Sequence, residues 1–140
     1  MDLVVDASIA FKWLVTEPDS AAAVSLFQNH NLIAPDVLLA ECRNAALTHV
    51  RRGTISIEQA KQAEQDLETL RLHTLPSVTF LPHAFTLALE LSHPIYDCIY
   101  LAAAIASDRI LVTADERFAT KVQGVGTAQN RIRLLASLQA

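Results

Sequence analysis

Short apolar runs separated by helix-patterned stretches constrain the fold of this chain more than any other feature. Leu3-Val4-Val5 reads as a first strand, Leu32-Ile33-Ala34 as a second, Val78 to Leu81 as a third and Ile110 to Thr113 as a fourth. Strands that alternate with helices signal an α/β fold built on a parallel sheet.

The helices between the strands carry their own start and stop signals. Ser8 to Val15 predicts a short helix stopped before Pro18, and Asp19 to Asn29 a second, with Asp19 or Ser20 as its cap. Pro35-Asp36 opens a long helix to about Arg52, with Asp36 in the capping region and Gly53 as the stop. Ser56 caps the next, which runs to about Leu72 with Glu58 in its first turn. Pro82-His83 leads into a helix through Leu91, and His93-Pro94 is a break. Ile95 to Ser107 is almost entirely apolar, so it is expected to be buried on most sides. Glu116 to Val122 reads as a helix and Gly124 to Thr127 as a loop, while Arg131 to Leu138 is ambiguous between strand and helix. The 140 residues contain no repeat or linker, so residues 1–140 are expected to form a single domain.

Four carboxylates sit where an apolar sequence has little reason to put them. Asp6 ends the first strand, Glu41 interrupts Val37-Leu38-Leu39-Ala40, Asp97 is the one charge between Pro94 and Ser107, and Asp115 follows the fourth strand. A carboxylate in apolar surroundings is costly unless it is paired, hydrogen-bonded or bound to a cation. Ligands of open parallel sheets bind outside the carboxyl ends of the strands. Asp6 and Asp115 belong at that edge, Asp97 lies in the first turn of the buried helix, and Glu41 lies in the first turns of the long one. Glu41, Asn44, Thr48 and Arg51 form a polar stripe at helical spacing, which aims Glu41 toward a groove. Each acid also has a plain reading. Asp6 and Asp115 suit helix caps, Asp97 suits the positive end of a helix, and Glu41 suits a solvated surface. Taken as a set, the four suggest a site for a divalent ion. All-oxygen ligation suits Mg2+ or Mn2+ and not zinc.

Charge and composition bound the partners. The net charge of −4 argues against nucleic acid at first sight, yet 15 acidic residues face 11 basic ones, so the four singled-out acids account for all of it. Glu58, Glu64, Asp66 and Glu68 cluster around Lys61, whereas the last third carries Arg109, Arg117, Lys121, Arg131 and Arg133. An acidic molecule can still present a basic face to phosphates. Cys42 and Cys98 match no zinc spacing and read as small buried residues. The five histidines lack metal-ligand spacing and read as surface or loop residues. Trp13 reads as a core or dimer contact. The chain opens on a strand-like segment without a basic leader, and its longest uncharged apolar stretch, Cys98 to Ala106, is too short to cross a bilayer. No signal peptide or membrane association is expected, and the expected location is cytoplasmic.

The residues resemble a known family. Val4-Val5-Asp6-Ala7-Ser8 with Lys12-Trp13 is similar to the opening of PIN-domain ribonucleases, and closely to VapC-type toxins of bacterial toxin–antitoxin pairs. Ala34-Pro35-Asp36 through Glu41 and Asn44 resembles that family's second motif, Tyr96-Asp97 through Tyr100-Leu101-Ala102 its third, and Thr113-Ala114-Asp115 with Phe118 its fourth. The resemblance implies a three-layer α/β/α sandwich around a mainly parallel sheet. It implies Mg2+- or Mn2+-dependent endonucleolytic cleavage of RNA with water as nucleophile. Asp6 and Asp97 would be the principal metal ligands, completed by Glu41 and Asp115, with Ser8 and Thr113 orienting the carboxylates. It also implies a homodimer and a VapB-like, DNA-binding antitoxin that inserts a segment into the active-site groove.

Some members carry a further acid where this chain has Arg117. Arg117 either contacts a phosphate or is a solvated helix residue, and Lys12 either approaches the carboxylates or substrate or snorkels to solvent. Two rival functions remain open on sequence. One is a catalytically inert PIN-like module that binds RNA or protein. The other is a phosphoacceptor signalling domain, which needs an acidic pair after its first strand where this chain has one acid.

Overall fold

The computed structural model describes residues 1–126 and 128–139. Thr127, which closes the expected Gly124 to Thr127 loop, lies outside the described residues. Strands β1 (Asp2–Val5), β2 (Asn31–Pro35), β3 (His73–Leu75), β4 (Ile110–Thr113) and β5 (Ile132–Leu134) form one sheet in the order β3-β2-β1-β4-β5. The sequence led us to expect a mainly parallel sheet, and every pair in it is parallel.

Parallel neighbours need crossover connections, and helices supply them. Helices α1 (Ala7–Leu14) and α2 (Ser20–Asn29) join β1 to β2, and α3 (Val37–Arg51) and α4 (Ile57–Thr69) join β2 to β3. Helices α5 (Leu81–Leu91) and α6 (Ile95–Ala106) carry the chain back across the sheet to β4, and α7 (Glu116–Gln123) leads to β5. Right-handed crossovers put α1–α4 on one face and α5–α7 on the other, which makes the three-layer sandwich. With both faces covered, β1 and β4 read as unbroken apolar runs rather than alternating ones. Leu3, Val4, Val5, Leu111 and Val112 are all fully buried. Helix α6 lies over β1, β2 and β4 and packs against α5, which explains its apolar sequence. Residues Cys98 through Ala104 of α6 are all buried, and the Ala102-Ala103-Ala104 run has no bulk to hold the helix off the sheet.

Two local expectations are corrected. The third strand is His73–Leu75, paired with Ile33–Pro35, and the expected strand at Val78 to Leu81 is instead a 3₁₀ turn (Ser77–Phe80) running into α5. An edge strand has a neighbour on one side only and needs no long apolar run. Val78 is 71% exposed while Phe80 is buried, so the apolar residues there follow a helical spacing. Helix α4 accordingly ends at Thr69 rather than Leu72. The ambiguous stretch after Arg131 holds β5, followed by a 3₁₀ turn (Leu135–Gln139).

The caps follow the sequence at Ser56, which forms a capping box with Gln59, and at Gly53, whose φ of +74° ends α3. Asp36 departs from it. Its carboxylate accepts from the Ser77 amide at 3.0 Å, and Ser77 Oγ accepts in turn from the Val37 amide at 2.8 Å. Helix α3 is therefore capped from 40 residues away. In the acidic cluster of α4, Glu64 and Glu68 are clamped by Arg43 of α3 rather than by Lys61. Trp13 is half-buried, sets its ring edge against Phe27 and donates Nε1–H to the Ala23 carbonyl at 2.8 Å. No helix among the described residues is long and apolar enough to cross a membrane.

Candidate active site

The chain leaves β1 toward β2 and leaves β4 toward β5, so the carboxyl ends of β1 and β4 flank the point where the winding reverses. A crevice opens at such a point in any doubly wound sheet. Val5 pairs with Val112, so Asp6 emerges from β1 level with Thr113 at the end of β4. Asp6 and Asp115 are the N-cap residues of α1 and α7. Asp6 Oδ1 accepts from the Ile9 amide at 3.2 Å and Asp115 Oδ1 from the Phe118 amide at 3.0 Å. The capping reading of both acids is therefore correct, and it leaves the second oxygen of each for other work.

Ser8 ties the two strand ends together. Its hydroxyl donates to Asp6 Oδ1 at 2.5 Å and accepts from the Ala114 amide at 3.0 Å. Thr113, fully buried, accepts from the Asp115 amide at 3.1 Å through Oγ1, which lies 3.4 Å from Ser8 Oγ. Ser8→Ala removes the donor from Asp6 and the acceptor from the Ala114 amide. We expect it to destabilise the protein by about 1–3 kcal/mol and to raise the metal concentration needed for half-maximal activity. Chemical denaturation read beside a metal titration measures both, and unchanged values for both would show the bridge to be idle.

All four predicted carboxylates line one cavity of about 370 Å3, together with Ser8, Lys12 and Asn44. Glu41 enters from α3 and Asp97 from the first turn of α6. Thr48 and Arg51 continue the stripe of α3 beyond the cavity lining, and Arg117 is exposed on α7 outside it. Lys12 lines the cavity, but its ammonium is held by Asp19 at 2.7 Å and Glu17 at 3.4 Å. It neutralises those two acids rather than the four in the cavity.

Sequence reasoning missed two residues that fix the carboxylates. Tyr100 Oη donates to Glu41 Oε1 at 2.5 Å. His93 Nε2 lies 2.6 Å from Asp97 Oδ2. His93 stands in the loop between α5 and α6, as expected, but its side chain is only 9% exposed rather than solvated. The expectation that all five histidines are surface or loop residues fails at His49, which lies on α3, stacks on Phe11 with ring centroids 4.9 Å apart and lines the cavity. A signal was available at Tyr100, which stands three residues after Asp97 on one helix face. His93 precedes the helix and the break at Pro94, so helical spacing does not mark it.

These hydrogen bonds fall on a single oxygen of each acid: Oδ1 of Asp6, Oε1 of Glu41, Oδ2 of Asp97 and Oδ1 of Asp115. Burial pushes the Asp6 carboxyl up to about 6. The hydroxyls of Ser8 and Thr113 and the Ile9 amide offset this in part, and the charge of Asp97 adds to it. Burial also raises Glu41, against the hydrogen bond from Tyr100 and with the charge of Asp97. Tyr100 is itself raised by burial and by Glu41, so it stays a protonated donor. Burial lifts Cys42 to about 12 and Cys98 to about 11, which leaves both as unreactive thiols.

Buried like charges without a counter-ion are the state that a bound cation relieves. The free oxygens make a hard, all-oxygen donor set. Among the described residues, no three acid, histidine or cysteine side chains are grouped tightly enough to cage an ion. An open site of this kind fits a small divalent cation that keeps several waters and binds one or two carboxylates.

Comparison with known proteins agrees with the geometry. The family model of the PIN domain matches residues 3–122. Ribonuclease VapC3 of Pyrobaculum aerophilum is 32% identical over 132 residues, covering 91% of this chain and 99% of that protein. The crystal structure of PAE2754 from the same organism superposes with a TM-score of 0.68 at 18% identity, covering 99% of this chain and 92% of its own. That of VapBC2 from Rickettsia felis, bound to a DNA fragment from their promoter, has a TM-score of 0.61 at 17% identity, covering 96% and 98%. The two crystal structures show the shared fold. With a family model over most of its length and a relative of this similarity, the chain belongs to the PIN-domain family, as a ribonuclease of the VapC type.

Proposed function

We propose that the protein is the toxin of a VapBC-type toxin–antitoxin pair, an endoribonuclease that uses Mg2+ or Mn2+ and the carboxylates Asp6, Glu41, Asp97 and Asp115. One observation carries this reading: four acids from distant stretches share a cleft at the reversal of the sheet, each with one oxygen that has no hydrogen-bond partner among the described residues. Asp6 and Asp97 would hold the ion, which would supply Lewis acidity toward water and offset charge developing on the phosphodiester. Glu41, whose affinity for a proton is raised by burial, accepts the proton of the attacking water. Asp115 completes the site directly or through water. Ser8 and Thr113 keep Asp6 and Asp115 in place, and Asn44 and Lys12 flank the path of the RNA backbone. Arg117, exposed beside the site, contacts a neighbouring phosphate.

Residues 1–140 act as one domain in the cytoplasm. A second copy of the chain and a VapB-like antitoxin are the protein partners. An exposed stripe of Leu81, Phe85 and Leu89 at i, i+4 and i+8 on α5 supports the homodimer. The likeness to VapBC2 supports the antitoxin. Gel filtration of the chain alone and with the antitoxin reads both associations. The activity is tested by incubating total RNA with the purified chain and mapping new ends. Cleavage is expected with Mg2+ or Mn2+, and chelation is expected to abolish it reversibly. Cleavage that persists under excess chelator would refute the metal-dependent mechanism.

A further inference from the structure

His93 is nearly enclosed, and its hydrogen-bond partners define its tautomer. Ser92 ends α5 in the left-handed backbone region at φ 50°, which turns the chain back toward α6. The His93 ring packs on Phe118 of α7 with centroids 4.7 Å apart. Its Nε2 faces Asp97 Oδ2 at 2.6 Å, and its Nδ1 faces Lys121 Nζ at 3.1 Å. Lys121 Nζ also donates to the Ser92 carbonyl at 3.3 Å. An ammonium has three donors and no acceptor. Nδ1 must therefore accept from Lys121, and the ring proton sits on Nε2, where it donates to Asp97. Donation runs in one direction, from Lys121 through His93 to the carboxylate.

We propose that His93, held in this tautomer by Lys121, is a positioning residue for Asp97: it occupies Oδ2 and leaves Oδ1 for the metal ion. The terminal torsion of an aspartate is broad and roughly two-fold. A carboxylate without a fixed donor must be ordered when the ion binds, whereas one pinned through Oδ2 is ordered beforehand. Partners of ligating groups commonly govern metal affinity about 10–100-fold. The proposal rests on the reading of Asp97 as a metal-holding carboxylate.

Calorimetric titration of the metal-free protein with Mn2+, at one mildly alkaline pH, tests it without recourse to activity. His93→Ala is expected to weaken Mn2+ binding about 10–100-fold. His93→Gln, whose amide N–H can reach the same oxygen, is expected to restore most of that loss. Lys121→Met, which releases Nδ1 to take the proton, is expected to weaken binding by a smaller factor. Nitrogen NMR of the histidine rings in the metal-free wild type is expected to show His93 protonated on Nε2. Proton occupancy on Nδ1 would overturn the proposal even if His93→Ala does not fold. Wild-type Mn2+ affinity in His93→Ala, with binding lost in Asp97→Asn, would overturn the role of His93 and leave the site standing. Unchanged binding in Asp97→Asn would overturn the site itself.

Discussion

Asp6→Asn is expected to give a protein that is more stable than the wild type without metal and inactive with it. The Asp6 carboxyl is raised by burial from 3.8 to about 6, and Asp97 adds to that shift. The folded state therefore favours the protonated acid more than the unfolded chain does. The stabilisation is fully present below about pH 4 and is lost as the pH rises through about 6. Above that pH the ionised group destabilises the metal-free fold by about 3 kcal/mol. Asparagine keeps Oδ1 as an acceptor for Ser8 and Ile9 and removes the charge. For a chain of this size the variant should melt roughly 5–10 °C higher in chelator at neutral pH. The difference should shrink toward zero as the pH falls to about 4. Mg2+ should raise the melting temperature of the wild type by linkage and leave the variant unmoved. Thermal melts across pH, with and without Mg2+, provide the measurement. Identical melting of the two proteins in chelator at every pH would show that Asp6 bears no such penalty.

Asp97→Asn is expected to lower RNA cleavage by about 10²-fold or more, since loss of metal-derived stabilisation amounts to several kcal/mol and each 1.4 kcal/mol is tenfold. Its stability should change little. The Asp97 side chain caps no backbone amide, and an acid in the first turn of a helix contributes about 0.5 kcal/mol. Initial rates on a defined RNA, beside an unfolding curve, separate the two effects. The same assay addresses the inert binding module, which would retain RNA without cutting it even as wild type. Equal rates for wild type and Asp97→Asn would remove Asp97 from the site.

Much of the fold was legible because its signals are local. Leu3–Val5 and Ile110–Thr113 had to be strands covered on both faces, and the apolar helix Ile95–Ala106 had to be buried. Ser56 and Gly53 mark helix ends through their own backbone and side-chain chemistry. The misplaced third strand shows where locality fails. His73–Leu75 is a strand because β2 offers it an edge, and that edge lies 40 residues away in sequence. Asp36 shows the same limit, since the donor to its carboxylate comes from Ser77. The four acids could be picked out because burial makes a lone carboxylate costly wherever it occurs. His93 could not be distinguished from a turn residue, because its meaning depends on Lys121, 28 residues later, and on the packing of Phe118.

The alternation of strands and helices, the kinds of acid and their places at strand and helix ends were determined by the sequence alone. Apolar periodicity and capping act between near neighbours and can be read without a partner. The tertiary structure alone decided which oxygen of each carboxylate is occupied, that Ser8 bridges two strand ends, and that Tyr100 and His93 hold Glu41 and Asp97. It also decided how strongly burial resists the charge on Asp6. Those properties arise from donors and low-dielectric surroundings contributed by segments far apart in the chain, and they exist only once the sheet has brought the segments together.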